Sequence, residues 1–408
     1  KPVYIVSWLF ALAVSFVSCD DWLDKTPKDR LYPDVYFKTE DELRLFTNQF
    51  YNNLVPSAVD IYSESSDLIV KSDLMLEMSG QRIIPDEGNG WNFTALRDIN
   101  FYLQYSHNCT EVNARNRYDG VARFFRAYFY FEKVKRYGDI PWYDKALDSD
   151  DPELYKARDS REFVMQKMLE DLDFAIANLP KTKNAYILTR WTALALKSRV
   201  CLFEGTFRKY HGLEDYEKYL NACVSASETF MNESGYTLYK TGSTPYRDLF
   251  ASINLQADEV IFGRDYEASL SVLHNVQNYE NSTTMGRPGM NKKIVNSYLM
   301  ADGSRFTDKA DYETMTFDQE CQNRDPRLAQ TIRTPGYTRI GSTKKEAPNL
   351  AYTMTGYHLI KYSMTANYDE YNKSCNDIPL FRTAEVYLNF AEAKAEHAAR
   401  YPTQPRST

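Results

Sequence analysis

The sequence holds no C-x-x-C pair and no Cys/His cluster at metal-ligand spacing, so it supports neither a structural zinc site nor a dithiol redox centre. It also lacks G-x-S-x-G, H-E-x-x-H and a glycine-rich phosphate loop, the sequence marks of esterase-type hydrolases, zinc peptidases and nucleotide-binding enzymes. No Lys/Arg run interrupts a chain whose net charge is -7, which argues against a nucleic-acid partner, since phosphates need a basic footprint. Long apolar runs are missing too, with one exception at residues 3–17, VYIVSWLFALAVSFV. That run is shorter than the roughly 18 residues expected of a spanning helix and fits the apolar core of a secretory signal. What the chain has in quantity is aromatic residues: 32 Tyr, 22 Phe and 5 Trp make 14% of it. Tyr and Trp join an apolar ring to a polar tip, which suits sugar faces and protein interfaces, although most such rings must fill cores and helix seams.

The apolar run passes through Ser18 into Cys19 and then into Asp20 and Asp21. A small residue before a cysteine looks like the lipobox of bacterial lipoproteins, so residues 1–18 read as a lipoprotein signal peptide and Cys19 as the acylated first residue of the mature chain. The competing reading is an uncleaved anchor with an incidental cysteine. A start at Lys1 rather than Met suggests that a few N-terminal residues are missing. With Cys19 set aside, Cys109, Cys201, Cys223, Cys321 and Cys375 form an odd set. A Cys201–Cys223 disulfide is open to an exported protein, but buried free thiols are the preferred reading.

At 408 residues and 43% hydrophobic content, the chain can bury one large core or two ordinary ones. Helix signals dominate up to residue 240. Thr39 and Glu42 form a capping box ahead of an apolar stripe at Leu43, Phe46, Phe50 and Leu54. A second helix runs through residues 96–108, and a third begins at Gly120, is apolar nearly all round, and ends at Gly138 and Pro141. Asp159 and Glu162 mark a cap for a helix that lasts to Pro180. The next pair covers Trp191 to Leu202, closed near Gly205, and Tyr216 to Met231, closed at Gly235. The spacing of Leu172, Ala175 and Pro180 resembles the second helix of a tetratricopeptide repeat, while residues 138–158 break any regular period, so bare helical hairpins stay open as an alternative. Residues 241–380 turn to Gly, Pro, Asn and Thr with short strand-like runs such as EVIFG, the texture of long ordered loops on a rigid scaffold. Helical periodicity returns over residues 381–400. A repeat helix without its hairpin mate cannot bury its face, so a C-terminal part of the natural protein is inferred to be missing.

Candidate chemistry is sparse. His211 and Glu214 are H-x-x-E spaced but read as a solvated pair, and Asp150 and Asp151 sit in charged surface sequence. DGSRFTD at residues 302–308 departs from the calcium-loop pattern and reads as a turn, so no metal or cofactor is assigned. Binding has better support than catalysis. Trp91, in PDEGNGWNF, has no helical face to join and offers a stacking platform for a pyranose, with Arg82 and Asn89 as polar contacts. The competing role for Trp91 is plugging a scaffold crevice. Tyr279 and Arg287, in VQNYENSTTMGRPG, are weaker ligand-binding candidates of the same type.

CDDWLD, FKTEDELRLFTNQFYNNL, LRDINFYL, ARFFRAYFYFEKVKRYGDIPW, EDLDFAIANLP, YRDLF, DEVIFGRDY, VNSYLMADGSRFTD, NRDPRLAQTI and RTAEVYLNFAEAKAE follow one another in an order that resembles the SusD/RagB family of outer-membrane lipoproteins from Bacteroidetes. The likeness runs from Cys19 to the end. It implies a mostly α fold, with tetratricopeptide-like helix pairs as an α-α superhelical scaffold, irregular ligand-binding loops and minor β structure. It further implies a single unit over residues 19–408 that is a surface-exposed, lipid-anchored glycan-binding protein of the outer membrane and not an enzyme. Such a protein would act as a hinged lid on a SusC-like TonB-dependent transporter, with Asp20 and Asp21 similar to the family's surface-export signal. A peptide-capturing relative, an extracellular hydrolase and a helical adaptor are the alternative readings.

Overall fold

In a computed structural model of the chain, the described residues are 36–62, 67–86, 88 and 90–398, so Cys19 and the acidic residues after it lie outside them. The protein is mostly helical. Its scaffold is built from α1 (Glu40–Leu54), α2 (Thr94–Tyr105), α3 (Val112–Tyr137), α4 (Arg161–Asn178), α5 (Arg190–His211), α6 (Tyr216–Glu233) and α7 (Thr383–Ala398). Strand is limited to two antiparallel pairs. One joins β1 (Ile69–Val70) to β3 (Gly289–Met290), and the other joins β2 (Val260–Arg264) to β4 (Ile378–Arg382).

The capping box forms as the sequence indicates: Thr39 Oγ1 accepts from Glu42 N at 3.3 Å while the Glu42 carboxylate accepts from Thr39 N at 3.0 Å. Three acidic residues in the first turn of α1 add a favourable interaction with the helix dipole. Leu43 and Phe50 of α1, Leu96, Ile99 and Tyr102 of α2, and Phe124, Phe125 and Tyr130 of α3 meet in one core. Because α3 carries buried residues around its whole circumference, it is the central helix, packed by α1, α2 and α4.

Three helix boundaries differ from the sequence reading. First, α3 begins at Val112, and Gly120 lies inside it. A Cβ on Gly120 would sit 3.4 Å from the Leu179 side chain and 3.7 Å from Ala175 Cα, so this glycine marks a close crossing of α3 on α4 and not a start. Second, the N-cap of α4 is Ser160, whose Oγ accepts from Phe163 N at 3.3 Å. Asp159 instead accepts from Trp142 N at 2.7 Å and pairs with Lys156 at 3.0 Å. Third, α5 runs through Gly205 to His211. A Cβ there would meet Leu220 of α6 at 2.7 Å, so Gly205 is the contact that lets α5 and α6 cross closely.

Ion pairs that no apolar pattern announces tie the helices together. Arg126 of α3 binds Asp171 of α4 in a buried bidentate pair, Nε to Oδ2 at 2.6 Å and Nη2 to Oδ1 at 2.7 Å. Glu204 of α5, fully buried, takes both Arg161 at 2.6 Å and Arg208 at 2.7 Å.

The last helix buries a face without a hairpin mate of its own. Val386 and Ala393 of α7 pack against α5 and α6, with Ala393 in the same cluster as Cys201, Leu220 and Cys223. Both of these cysteines are free thiols, and Cys223 Sγ donates to Asn389 O at 3.6 Å.

Between β2 and β4 the chain is irregular, with several one-turn helices, as the sequence suggests. A small apolar cluster of Met290, Val295, Leu328, Ile332, Tyr357 and Leu359 steadies it. Much of the rest of its interior is polar. Arg333 and Arg339 both donate to Asn281 Oδ1, at 2.8 and 3.1 Å, and Arg339 pairs with Asp369 at 2.5 Å. Buried Glu280 accepts from Ser363 Oγ at 2.7 Å and from Tyr362 N at 3.2 Å.

Candidate functional site

The chain entering α2 turns through Gly88 and Gly90, both at positive φ, so that Trp91 stands just ahead of the helix. Its indole is held edge-on by Phe93, ring centroids 5.4 Å apart, and by Tyr137, 4.9 Å apart. Lys133 of α3 donates to the carbonyl of Gly90, and the Arg158 guanidinium lies 4.9 Å from the indole centroid. Three side chains therefore brace the ring and Lys133 holds the turn before it, yet 40% of the residue remains exposed.

Trp91 opens onto a cavity of about 290 Å³, bounded also by Phe93, Thr94, Arg97, Tyr143, Lys145 and Leu147. Its far wall is the irregular segment 143–147, which contributes Tyr143, Lys145 and Leu147. Hydrogen bonds from the scaffold hold that segment. Asn100 Nδ2 donates to Tyr143 O at 2.8 Å and Lys145 O at 3.3 Å, Arg97 Nε donates to Leu147 O at 3.2 Å, and Tyr143 N donates to Tyr130 Oη at 2.6 Å. Asn100 Oδ1 accepts in turn from Arg126 Nη1 at 3.3 Å, so a connected polar chain runs from the buried Asp171 carboxylate to the cavity wall.

Burial, with help from Arg136, holds Lys133 below the usual lysine range, and burial raises Tyr143. A hydrogen bond to Glu153 holds Lys145 above its ordinary value, with burial opposing and Asp151 adding to the rise. Among the described residues no carboxylate lines the cavity. Among the described residues no group of three or more His, Cys, Asp or Glu side chains could hold a metal ion.

Of the residues singled out from the sequence, Trp91 alone is in the cavity wall. Arg82 is exposed on the chain leading to it and is not a lining residue, and Asn89 lies outside the described residues. Tyr279 is 3% exposed, in the short helix Val276–Glu280, and does not line this cavity. Arg287 is not a lining residue of it either. Its Nε and Nη2 donate to the carbonyls of Ala351 at 2.9 Å and Leu350 at 2.7 Å, which makes it a clasp between two loops. The H-x-x-E pair does not meet: His211 stacks on Phe207 at 4.0 Å, and the Glu214 carbonyl accepts from Arg208 at 3.0 Å. DGSRFTD is the turn the sequence indicates, with Asp302 Oδ1 accepting from Ser304 N at 2.9 Å and Arg305 paired with Asp308 at 2.7 Å.

The sequence reading missed Arg97, Tyr143, Lys145 and Arg158. Thr94 and Arg97 lie one turn apart on α2 immediately after Trp91, a local signal for their share of the wall, whereas residues 143–147 and Arg158 carry no periodic signal.

Comparison with known proteins gives one consistent answer. Residues 249–400 match the family model described as SusD family, and residues 80–190 match that described as Starch-binding associating with outer membrane. SusD-like protein P2 of Formosa agariphila is 25% identical over 95% of this chain and 77% of its own length. SusD-like protein P38 of the same organism is 24% identical over 57% of this chain and 46% of its own length. Among solved structures, a SusD-like protein of Bacteroides fragilis superposes with a TM-score of 0.70 at 22% identity, covering 91% of this chain and 78% of that one. A SusD-like carbohydrate binding protein of B. fragilis gives 0.68 at 18% identity over 88% and 75%. A third, a crystal structure with xylogluco-oligosaccharide, gives 0.59 at 18% identity over 86% and 70%.

Proposed function

Because this chain belongs to the SusD/RagB family, we propose that it is a glycan-capture protein of the outer membrane, anchored through acylated Cys19, that passes oligosaccharide to a SusC-like TonB-dependent transporter. The observation that carries this reading is the braced yet exposed indole of Trp91 at the mouth of the cavity. A flat ring already braced by Phe93, Tyr137 and Arg158 receives the apolar face of a pyranose without first being ordered, and the polar groups on Thr94, Arg97 and Lys145 are within the same wall for its hydroxyls. Family membership and the sugar ligand of one structural relative support the same ligand class. The protein acts by binding and release, without turnover, and its cysteine-borne acyl chains leave the folded domain free to move as a lid.

Affinity electrophoresis against plant, host and microbial glycans tests this. Retardation by at least one glycan is expected, with Trp91→Ala weakening it at least about tenfold. Breakdown products in the same incubations overturn the non-catalytic reading. Mass spectrometry of the native protein showing Cys19 unacylated removes the anchor.

A further inference from the structure

The chain as a whole is acidic, 56 Asp and Glu against 49 Lys and Arg, yet the ionisable side chains that line the cavity to carry a full charge at neutral pH are cations, Arg97 and Lys145, and a third cation, Arg158, lies over the indole. The three differ in how their charge is met. Lys145 is shared between Glu153 at 3.0 Å and Asp151 at 3.5 Å. Arg97 and Arg158 form no ion pair within 4 Å among the described residues. Arg97 does act on Asp98, next along α2, whose carboxyl is raised by burial and drawn back down by the Arg97 charge. Asp159 faces Lys156 on the Arg158 side of the site. Arg97 spends one donor, Nε, on the Leu147 carbonyl, and Arg158 contributes its cationic face to Trp91, so each guanidinium keeps donors for an incoming group.

Resting on the glycan-capture reading above, we propose that the sugar taken at Trp91 carries an acidic substituent, a carboxylate or a sulfate, which Arg97 and Arg158 bind while the indole stacks on the ring. Planar guanidinium forks suit both oxyanions, since two parallel N–H donors meet two oxygens. Both arginines are exposed, so an acidic substituent can reach their free donors from solvent, whereas a neutral sugar gains nothing from either charge.

Isothermal titration calorimetry of the whole chain against three oligosaccharide sets of matched length decides the matter: neutral xyloglucan fragments, uronate-bearing oligogalacturonates, and sulfated galactan fragments. At least one acidic set is expected to bind more tightly than the neutral set, by on the order of tenfold, and to weaken as NaCl is raised. Arg97→Gln and Arg158→Gln are each expected to reduce acidic-set affinity on the order of tenfold, a clearly larger loss than either causes with the neutral set. Comparing the uronate and sulfate arms identifies the oxyanion. Neutral binding that depends on Trp91, is at least as tight as either acidic set, and is insensitive to salt and to both Arg→Gln changes overturns the acidic class and leaves glycan capture standing. Absence of binding by all three sets, or binding unaffected by Trp91→Ala, overturns the site itself. The salt titration needs no variant, so the proposal stays testable if a substitution disturbs folding.

Discussion

His274 and His358, both buried in the irregular region, are held as neutral rings by the same arrangement. In each, a backbone N–H donates to Nδ1, from Val276 and from Asn349, both at 3.2 Å, and Nε2 faces a carbonyl, Asn376 O or Glu280 O, at 2.9 Å. A carbonyl only accepts, so Nε2 carries the hydrogen and Nδ1 has no room for a second one. Burial accordingly depresses His274 to about 4 and His358 to about 3. Both contribute stability that is present above the ordinary histidine value near 6.5 and is lost as pH falls through those values, about 1.4 kcal/mol for each tenfold change in proton affinity. Buried Glu280 works the other way: raised to about 7, it favours the fold below its ordinary value and withdraws that support as pH rises to 7. Asp377, raised by burial to about 6, sides with Glu280, so the imidazoles are best read directly: both rings should still be neutral at pH 5 by NMR. A ring that takes up a proton between pH 6.5 and pH 5 would contradict the neutral-ring assignment. None of this was legible in the sequence, where two scattered histidines carry no sign of their partners, whereas Trp91 could be singled out because a glycine-rich loop gives an indole no helical stripe to join.

Helices were read well wherever one face is apolar and the cap is local. The box at Thr39, the ends at Gly138 and Gly235, and the stripes of α4 and α6 needed nothing beyond their own residues. Errors arose where the deciding partner is distant in sequence. Asp159 and Ser160 are both good caps, and the choice falls to Ser160 because Trp142 N claims the aspartate. Gly205 looked like a stop because its reason for being glycine, Leu220, lies on the next helix. That contact predicts that Gly205→Ala destabilises the protein despite alanine's better helix propensity. Propensity returns at most about 1 kcal/mol, while forcing a methyl group against Leu220 costs about 1–3 kcal/mol. Denaturant unfolding measures the balance, and a stabilised variant would mean that α5 and α6 have slack between them. The candidate site shows the same division: Trp91 and the start of α2 were visible locally, but the wall of residues 143–147 is brought opposite only by hydrogen bonds from Asn100 and Arg97.

At the scale of the molecule, α7 closes the helical body. It covers the α5–α6 pair so that Cys201 and Cys223 are wholly inaccessible, and burial pushes both thiols above their ordinary range. Native protein should therefore resist alkylation at these two positions. Ala393→Arg, which sets an unpaired charge in that seam, should expose them, raising alkylation at Cys223 and Cys201 well above the native level when followed by peptide mass mapping. Continued protection in the variant would mean that α7 is not what shields the thiols.

The β2–β4 pair has a consequence for how such a protein can change over time. It sets Val260 opposite Arg382 and Arg264 opposite Ile378, with Thr383 N and Oγ1 both bonded to Glu259 O, so the irregular region leaves the helical body and rejoins it at a single stitched seam. Lengthening a loop whose ends are already fastened costs little more than a logarithm of its length. The helices can thus stay as they are while the segments hung between β2 and β4 vary in length and content.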